Sequence, residues 1–360
     1  MTLPRPERSR TAHHPARGRR IAGGTNRTRR TAYLTALAFA VVAAVLRLLN
    51  VTTSYDLFID EATYAAIARD TTLAAGPLLH GLPFVLHPPL ALLFFAGPAN
   101  LLGTNDVLAL VTGLRPFVAV VGALTVAVLY LTLHRAGLRK AAFFAAALVA
   151  LDPFIISFDS RVMLEALAQL FAVLTIAAAI RAATAVGASQ WRWTALTAVA
   201  GALTFGTKET FGLVVLATLV LVALTSPRGS RRPPLVAVAG TLAGYGMVNV
   251  AMVSWAGFDL WWHMRTDGLF RLLGTRQTTG FKAEGSHGSF WDRLVPNIAE
   301  LGATYAILAI GGGCAVLLLW GVLRHRPAIT ALSPDAAAAA KIIALWAVCA
   351  CGDVGYAGAV

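Results

Sequence analysis

Residues 113–133 read GLRPFVAVVGALTVAVLYLTL, an apolar run in which Arg115 is the one charged side chain. A helix rises about 1.5 Å per residue, so a run of this length reaches across the roughly 30 Å hydrocarbon core of a bilayer. Because that core holds no water, a crossing segment must satisfy its backbone hydrogen bonds internally, as a helix does. The run therefore predicts a transmembrane helix with Arg115 near its beginning.

The whole chain has a composition that agrees with this run. Hydrophobic residues make up 57% of the 360 residues, charged residues only 13%, and the mean hydropathy is +0.69. Soluble domains carry about a quarter charged residues, so an ordinary water-soluble protein is excluded. We predict an all-α polytopic membrane protein, a helical bundle with about nine spans. These cover residues 31–49, 113–133, 140–158, 164–181, 194–207, 211–225, 234–256, 298–323 and 342–360.

The net charge of +13 is concentrated at the N terminus. Nine arginines and one acid, Glu7, precede Thr31 in a segment with too little apolar content to fold. We predict a disordered, basic cytoplasmic tail over residues 1–30 and a transmembrane domain over residues 31–360. Nucleic-acid binding by the tail is the weaker alternative, because no aromatic residue lies among the arginines, and we expect no nucleic-acid partner.

Lysine and arginine in the short loops set the orientation, because cytoplasmic loops are enriched in both. With the tail inside, the cytoplasmic connections are 134–139, 182–193, 226–233 and 324–341, and each of them is basic. Two long loops, residues 50–112 and 257–297, then lie outside. Residues 88–102 would reverse the pattern if they crossed, so we place them in the outer interface. The predicted location is the cytoplasmic membrane, with polar chemistry on its outer face.

The first outer loop holds the candidate for a catalytic base. Asp60 and Glu61 follow an apolar pair after the first span and precede a helix-like stretch. One interpretation is structural: Asp60 caps this helix and Glu61 lies in its first turn, where negative charge is stabilised. The other is that Asp60 accepts a proton from an attacking hydroxyl, with Glu61 orienting donor or acceptor. His87, held rigidly before Pro88 and Pro89, is a further candidate.

Charged residues at the predicted outer ends of spans complete the set. Charge at membrane depth costs roughly 2.5–3.5 kcal/mol per residue on insertion scales, so such residues pair or line a cavity. The structural alternative is local pairing, of Lys208 with Glu209 or of Arg161 with Glu165. The functional alternative is a shared outward cavity that binds the phosphate of a lipid-linked substrate. The candidates for binding the donor phosphate and the substrate are His87, Arg115, Arg161, Glu165, Lys208 and Arg265.

Metal and nucleotide chemistry find little support in the sequence. It contains no Walker motif, no HExxH and no G-x-G-x-x-G that follows a strand. The three cysteines lie in or beside apolar runs, and Cys349 and Cys351 have neither a second cysteine pair nor a histidine nearby. We therefore expect no metal ligand and no cofactor, with a divalent metal left open.

The order of these motifs resembles the C-type membrane glycosyltransferases, in particular the protein O-mannosyltransferase and aminoarabinose transferase group. The resemblance covers about residues 31–300. The motifs that carry it are Asp60-Glu61 with Tyr64, His87-Pro88-Pro89-Leu90, Arg115 at a span start, Ser160-Arg161 with Glu165, and Gly206-Thr207-Lys208-Glu209. It implies an inverting transferase with little or no need of metal, which uses a polyprenyl-phosphate sugar. The base of the group then corresponds to Asp60, and the arginine after its His-Pro-Pro segment corresponds to Arg115.

The resemblance leaves the sugar and the acceptor open. Leu90 is followed by Ala91 and Leu92, where mannosyltransferases usually have glycine and lysine. The acceptor hydroxyl could belong to a protein, a lipid or a polysaccharide. Since members of the group generally continue beyond this length, we expect a chain that is incomplete at its C terminus. Two other functions compete: a transporter or flippase of a lipid-linked sugar without transfer chemistry, and a structural subunit.

Overall fold

The computed structural model describes residues 22–49, 51–53, 57–272 and 333–357, and scattered positions between 295 and 320. The predicted all-α fold is confirmed, and two short strands form a small antiparallel hairpin. The elements are α1 (Ala22–Leu48), α2 (Ile59–Asp70), β1 (Leu78–Leu79), β2 (Leu82–Pro83), α3 (Leu90–Leu102), α4 (Val107–Arg135), α5 (Arg139–Leu151), α6 (Pro153–Asp159), α7 (Glu165–Thr184), α8 (Ala188–Thr207), α9 (Glu209–Thr225), a 3-10 turn (Arg228–Ser230), α10 (Arg232–Ala256), α11 (Phe258–Leu272) and α12 (Pro334–Ala357).

Four helices in the described part of the chain, α1, α4, α7 and α10, are long and apolar enough to cross a membrane. The bent pair of α5 and α6 adds a fifth if the two count as one span. The predicted span 298–323 lies mostly outside the described residues. The first helix begins at Ala22, so the predicted disorder of residues 1–30 is wrong for residues 22–30, where the helix continues beyond its apolar segment.

The predicted span 140–158 is not one straight helix, because the chain bends between α5 and α6. The two helices meet at an angle of 64°. Pro153 cannot continue α5 because it lacks a backbone N–H, and it begins α6 instead. Asp152 caps α6 by accepting hydrogen bonds from the backbone N–H groups of Phe154 and Ile155, at 2.8 and 3.0 Å.

Small residues bring α8 and α10 into close contact. A Cβ atom added to Gly240 would lie 2.7 Å from the Cβ of Ala198, and one added to Gly244 would lie 2.5 Å from the Cβ of Ala202. Gly240 and Gly244 are four residues apart on α10, and Ala198 and Ala202 are four apart on α8. Residues with this spacing share one face of a helix, so the two small faces are turned toward each other. Membrane helices associate mainly by packing of this kind, because lipid tails are as apolar as leucine and give helices little hydrophobic reason to associate.

Charged side chains divide the bundle into two ends. One end, which we call the polar end, holds the ion pairs of Arg47 with Asp159, Glu61 with Arg115, Glu165 with Lys208 and Glu209 with Arg265. The opposite end, which we call the basic end, holds the C-terminal turns of α4, α7 and α9. There Arg135 donates to the hydroxyl of Tyr33, and Lys341 donates to the carbonyl of Thr225 at 2.9 Å.

The helix predicted for the outer interface is α3, and both of its ends lie beside α2. The ring of His87, just before α3, lies 5.9 Å from the ring of Tyr64. The carbonyl of Asn105, just after α3, accepts a hydrogen bond of 3.2 Å from Arg69. Its 13 residues reach only about 20 Å, short of a roughly 30 Å core. The geometry therefore supports an α3 that begins and ends at the polar end.

We predict that single cysteines at Leu73 and Asn105, which flank α3, react with an impermeant reagent from the same membrane face. A cysteine at Lys140, beyond the C-terminal end of α4, should react only from the opposite face. The reason is that α3 is too short to cross, whereas α4 is long enough. The measurement is labelling of intact cells and of permeabilised cells, in a variant without the native cysteines. Labelling of the first two positions from opposite faces would contradict this arrangement.

Candidate active site

The polar end begins with the first turn of α2, where the expected capping by Asp60 is wrong. The residue at the N-cap is Phe58, whose side chain cannot accept a hydrogen bond. Glu61 satisfies this end of the helix instead, because its Oε2 accepts from the backbone N–H of Phe58 at 3.2 Å. Asp60 thus lies within the first turn, where the helix dipole stabilises its negative charge and its side chain is left available.

Glu61 is fully buried and forms the central ion pair of the polar end. Arg115 donates to it through Nε at 2.9 Å and through Nη2 at 2.8 Å, and the two side chains are 2% and 0% exposed. The backbone N–H of Val162 also donates to Glu61, and Arg115 donates to the carbonyl of Val51. Arg115 was expected to bind the donor phosphate. Instead it is enclosed by protein, and the carboxylate of Glu61 balances its charge.

Asp60 has a different environment from its neighbour. It is half-buried and makes no hydrogen bond or ion pair with any residue that the structure describes. Burial raises the pKa of the Asp60 carboxyl, the nearby Glu165 raises it further, and Lys208 lowers it. Burial and the charges of Asp60 and Glu165 also raise the pKa of Tyr64, so its hydroxyl stays protonated. The structure therefore brings Asp60, Tyr64, Glu165 and Lys208 together.

Glu165 and Lys208 pair with each other, which corrects both local pairings considered from the sequence. Lys208 lies in the extended joint between α8 and α9, and it donates to Oε1 of Glu165 at the start of α7. Its side chain keeps 29% of its surface exposed. The second oxygen of Glu165 is buried and has no hydrogen-bond partner among the described residues. The pair thus offers a cation and an unsatisfied acceptor beside Asp60.

Arg265 lies in a second polar cluster with residues that the sequence reasoning missed. Its Nη2 pairs with Glu209 at 2.7 Å and donates to the hydroxyl of Tyr245 at 3.1 Å. Asn249 accepts from the same group at 3.5 Å. Through Nη1, Arg265 also donates to the carbonyl of Leu86 at 3.1 Å. Polar residues four apart in an otherwise apolar run, as Tyr245 and Asn249 are, could have indicated a shared polar face.

His87 and Arg161 lie at the edges of this group of side chains. His87 packs against the rings of Tyr64 and Phe84, both at 5.9 Å between centroids. The guanidinium of Arg161 lies 5.8 Å from the centre of the Phe58 ring, within cation–π range. His87 and Arg161 are thus linked through aromatic side chains to α2, the helix that carries Asp60.

A buried ion pair beside the site was also missed. Arg47, near the end of α1, is fully buried and donates through Nε to Asp159 at 3.0 Å. Its other nitrogens donate to the backbone carbonyls of Val149 and Ala150. The hydroxyl of Ser160 donates back to the carbonyl of Arg47. An arginine in a predicted span was the available signal, since such a residue requires a partner.

No group of three or more histidine, cysteine or acidic side chains that could hold a metal ion occurs in the part of the chain that the structure describes. The ion pairs above account for this in part, because Glu61, Glu165 and Glu209 each face a cation. The chemistry that these groups offer directly is proton transfer by Asp60 and charge stabilisation by Lys208.

The comparisons with known proteins concern the family and the fold of the chain. Residues 86–255 match the family described as dolichyl-phosphate-mannose-protein mannosyltransferase. The predicted resemblance to the C-type membrane glycosyltransferases is confirmed. The chain is therefore a multi-pass membrane protein with the fold of that group. A sequence search of curated proteins gives no match.

Three solved structures show the extent of the likeness. ArnT from Cupriavidus metallidurans bound to undecaprenyl phosphate is 19% identical, with a TM-score of 0.56 over 90% of this chain and 59% of that one. The apo oligosaccharyltransferase of Archaeoglobus fulgidus is 12% identical, with a TM-score of 0.55 over 89% and 50%. The Pmt1-Pmt2 protein O-mannosyltransferase complex of S. cerevisiae, bound to its sugar donor, is 20% identical, with a TM-score of 0.51 over 64% and 34%. The chain thus spans between one third and three fifths of these proteins.

We predict that Glu61→Gln lowers the thermal stability of the purified protein strongly, whereas Asp60→Asn leaves it nearly unchanged. Glutamine keeps the shape but leaves the charge of Arg115 buried without its counter-charge, a change that typically costs about 3–5 kcal/mol. Asp60→Asn is the matched control, because it makes the same chemical change at the adjacent residue, which has no described partner. Thermal unfolding in detergent checks this. Equal melting temperatures for the two variants would contradict the structural role of Glu61.

Proposed function

We propose that this chain transfers a sugar from a polyprenyl-phosphate donor to an acceptor hydroxyl at the polar end. In the predicted orientation, this end faces the outside of the cytoplasmic membrane. The observation that carries the proposal is the contrast between two adjacent acids. Glu61 is buried in an ion pair, whereas Asp60 is half-buried without a described partner, beside Glu165 and Lys208. The fold of the C-type glycosyltransferases supports the same reading.

In this proposal, Asp60 is the general base. The acceptor oxygen attacks the anomeric carbon of the sugar while its proton passes to the Asp60 carboxylate. The bond between that carbon and the phosphate oxygen breaks, and its electron pair leaves with the polyprenyl phosphate. Because attack and departure occur on opposite sides of the carbon, the configuration inverts. The raised pKa of Asp60 favours this step, since a stronger base accepts the proton more readily.

The leaving phosphate gains negative charge, which nearby cations must stabilise. Lys208 is the best-placed cation, because it lies beside Asp60 and remains partly exposed. Arg161 adds a second positive charge next to Phe58, at the start of α2. Arg265 is less exposed, at 11%, and it donates to the carbonyl of Leu86, so we assign it the positioning of the His-Pro-Pro segment.

Glu61 and Arg115 act in this proposal as positioning residues. They hold together the start of α2, the backbone at Val162 and the backbone at Val51, just after α1. Asp60 is adjacent to Glu61, so this network fixes its backbone. His87 packs against Tyr64, one turn further along α2, which would place it at the edge of the bound sugar donor.

We expect Asp60→Asn to reduce sugar transfer by about 10²–10⁴-fold, because asparagine keeps the shape of the side chain but cannot accept the proton. Donor binding and expression should be unchanged. The measurement is transfer of radiolabelled sugar from polyprenyl-phosphate donors to any acceptor in membranes that contain the protein. Asp70→Asn is the matched control, because it makes the same change at the other end of α2, where Asp70 pairs with Arg69. Wild-type transfer by Asp60→Asn would refute the assigned base.

The same assay distinguishes the transferase from a carrier of lipid-linked sugars. A carrier would move the donor across the membrane without forming a labelled product, and its activity would not require a base. Formation of product by the wild-type protein, with its loss in Asp60→Asn, therefore supports transfer. Movement of donor without product in both proteins would favour the flippase.

The pH dependence of transfer should respond in opposite directions to changes in the two neighbours of Asp60. A base must be ionised, so activity falls as the pH drops through the pKa of Asp60. Glu165→Gln removes a charge that raises this pKa, so the acidic limb should move to lower pH. Lys208→Gln removes a charge that lowers it, so the limb should move to higher pH. The position of the limb, rather than the maximal rate, is the readout. A shift of both variants in one direction would contradict the arrangement.

A further inference from the structure

A groove opens at the basic end of the bundle, where Arg181 in its lining lies at the other end of α7 from Glu165. It forms a cavity of about 450 Å³ between α4, α7 and α8. Its walls are apolar and come from all three helices, with Leu131, Phe171 and Leu203 among them. Leu196 and Val199, also in the wall, are 51% and 57% exposed. In a membrane, exposed apolar side chains of this kind face lipid, so the groove is open to the lipid phase.

The mouth of the groove is positively charged. Arg135 and Arg181, from the last turns of α4 and α7, line it at the basic end, together with Thr184 and Trp193. No acidic side chain lies among the lining residues. Arg135 donates to the hydroxyl of Tyr33 and lies 5.2 Å above its ring, which orients the guanidinium. Arg181 makes no side-chain hydrogen bond or ion pair within the described ranges of the chain.

The length of the groove matches one leaflet of a bilayer. Along α7 the lining extends ten residues from Arg181 back to Phe171, which corresponds to about 15 Å at 1.5 Å per residue. Half of a roughly 30 Å hydrocarbon core is the same length. A lipid whose phosphate lies at the arginines would therefore have its acyl chain beside the apolar wall. Tryptophan and arginine at the mouth are typical of the level of lipid headgroups.

We propose that this groove, lined by residues of α4, α7 and α8, binds one anionic phospholipid of the leaflet at the basic end. The phosphate contacts Arg135 and Arg181, and one acyl chain lies along Leu131 and Phe171. An anionic headgroup fits best, because two cations face it and the lining holds no acid that would attract the amine of a zwitterionic lipid. The site is separate from the candidate active site, since Glu165 and Arg181 mark opposite ends of α7. The proposal does not depend on glycosyl transfer.

The test is retention of lipid by the purified, full-length protein, measured by native mass spectrometry. The protein in neutral detergent is incubated with phosphatidylglycerol, with phosphatidylcholine of the same chains, or with undecaprenyl phosphate. We expect a preference for phosphatidylglycerol over phosphatidylcholine that is lost in R135Q/R181Q. An arginine near an anionic lipid contributes about five-fold in affinity, so the double variant should bind phosphatidylglycerol about 25-fold more weakly.

Two further double variants test whether lipid binding depends on positive charge at positions 135 and 181 rather than on the total charge of the basic end. R135K/R181K keeps both charges and should retain most of the preference, which also shows that changes at these positions leave the protein folded. R228Q/R232Q removes the same number of charges from the basic end, outside the groove lining, and should bind phosphatidylglycerol as the wild type does. Equal retention of both phospholipids by the wild type would overturn the proposal. So would an unchanged preference in R135Q/R181Q, or displacement of phosphatidylglycerol by an equal amount of undecaprenyl phosphate.

Discussion

Glu61 and Arg115 form their ion pair in a place from which water is excluded, and the arrangement of the polar end depends on it. Removing two charges from water costs several kcal/mol per ion, so such a pair persists only when its remaining hydrogen-bonding groups are also satisfied. Here the carboxylate accepts from Phe58 and Val162 as well, and the guanidinium donates to Val51. Four separate parts of the chain therefore meet at one pair of side chains. A local change in any of them alters the hydrogen bonding of all.

The same constraint explains why the other acids at the polar end have their partners on different helices. Asp159 faces Arg47, Glu165 faces Lys208 and Glu209 faces Arg265. Each pair joins two segments that would otherwise be held together only by side-chain packing. Asp60 is the exception among these acids, because it has no described partner. A charged group that structure alone does not require is a candidate for function.

The sequence was sufficient to predict the membrane class, the all-α fold and the resemblance to the C-type glycosyltransferases. Apolar runs report directly on bilayer thickness, so the spans corresponding to α4, α7 and α10 were predicted closely. Ion-pair partners were not predicted. Glu61 and Arg115 are 54 residues apart and Glu165 and Lys208 are 43 apart, whereas the sequence suggested partners one or four residues away. Which distant residue a charge meets depends on how the helices pack.

Two other differences between prediction and structure have a signal in the sequence. Asp152-Pro153 combines an N-cap residue with a residue that cannot continue a helix, and it marks the bend between α5 and α6. The capping of α2 by Glu61 rather than Asp60 follows a recognised pattern, in which an acid at the third helical position bonds back to the cap. The role of Asp60 as the base stays a prediction, which the transfer measurements test.

The close contact between α8 and α10 couples the middle of the bundle to its polar end. Gly244 directly precedes Tyr245, whose hydroxyl donates to Glu209 and accepts from Arg265. A side chain added at Gly244 would push α10 away from Ala202 and carry Tyr245 with it. The backbone at Leu86, which Arg265 holds, would then lose its fixed position next to His87. A larger residue at position 244 would therefore disturb the side-chain contacts of the polar end, although the position itself lies between two apolar helices.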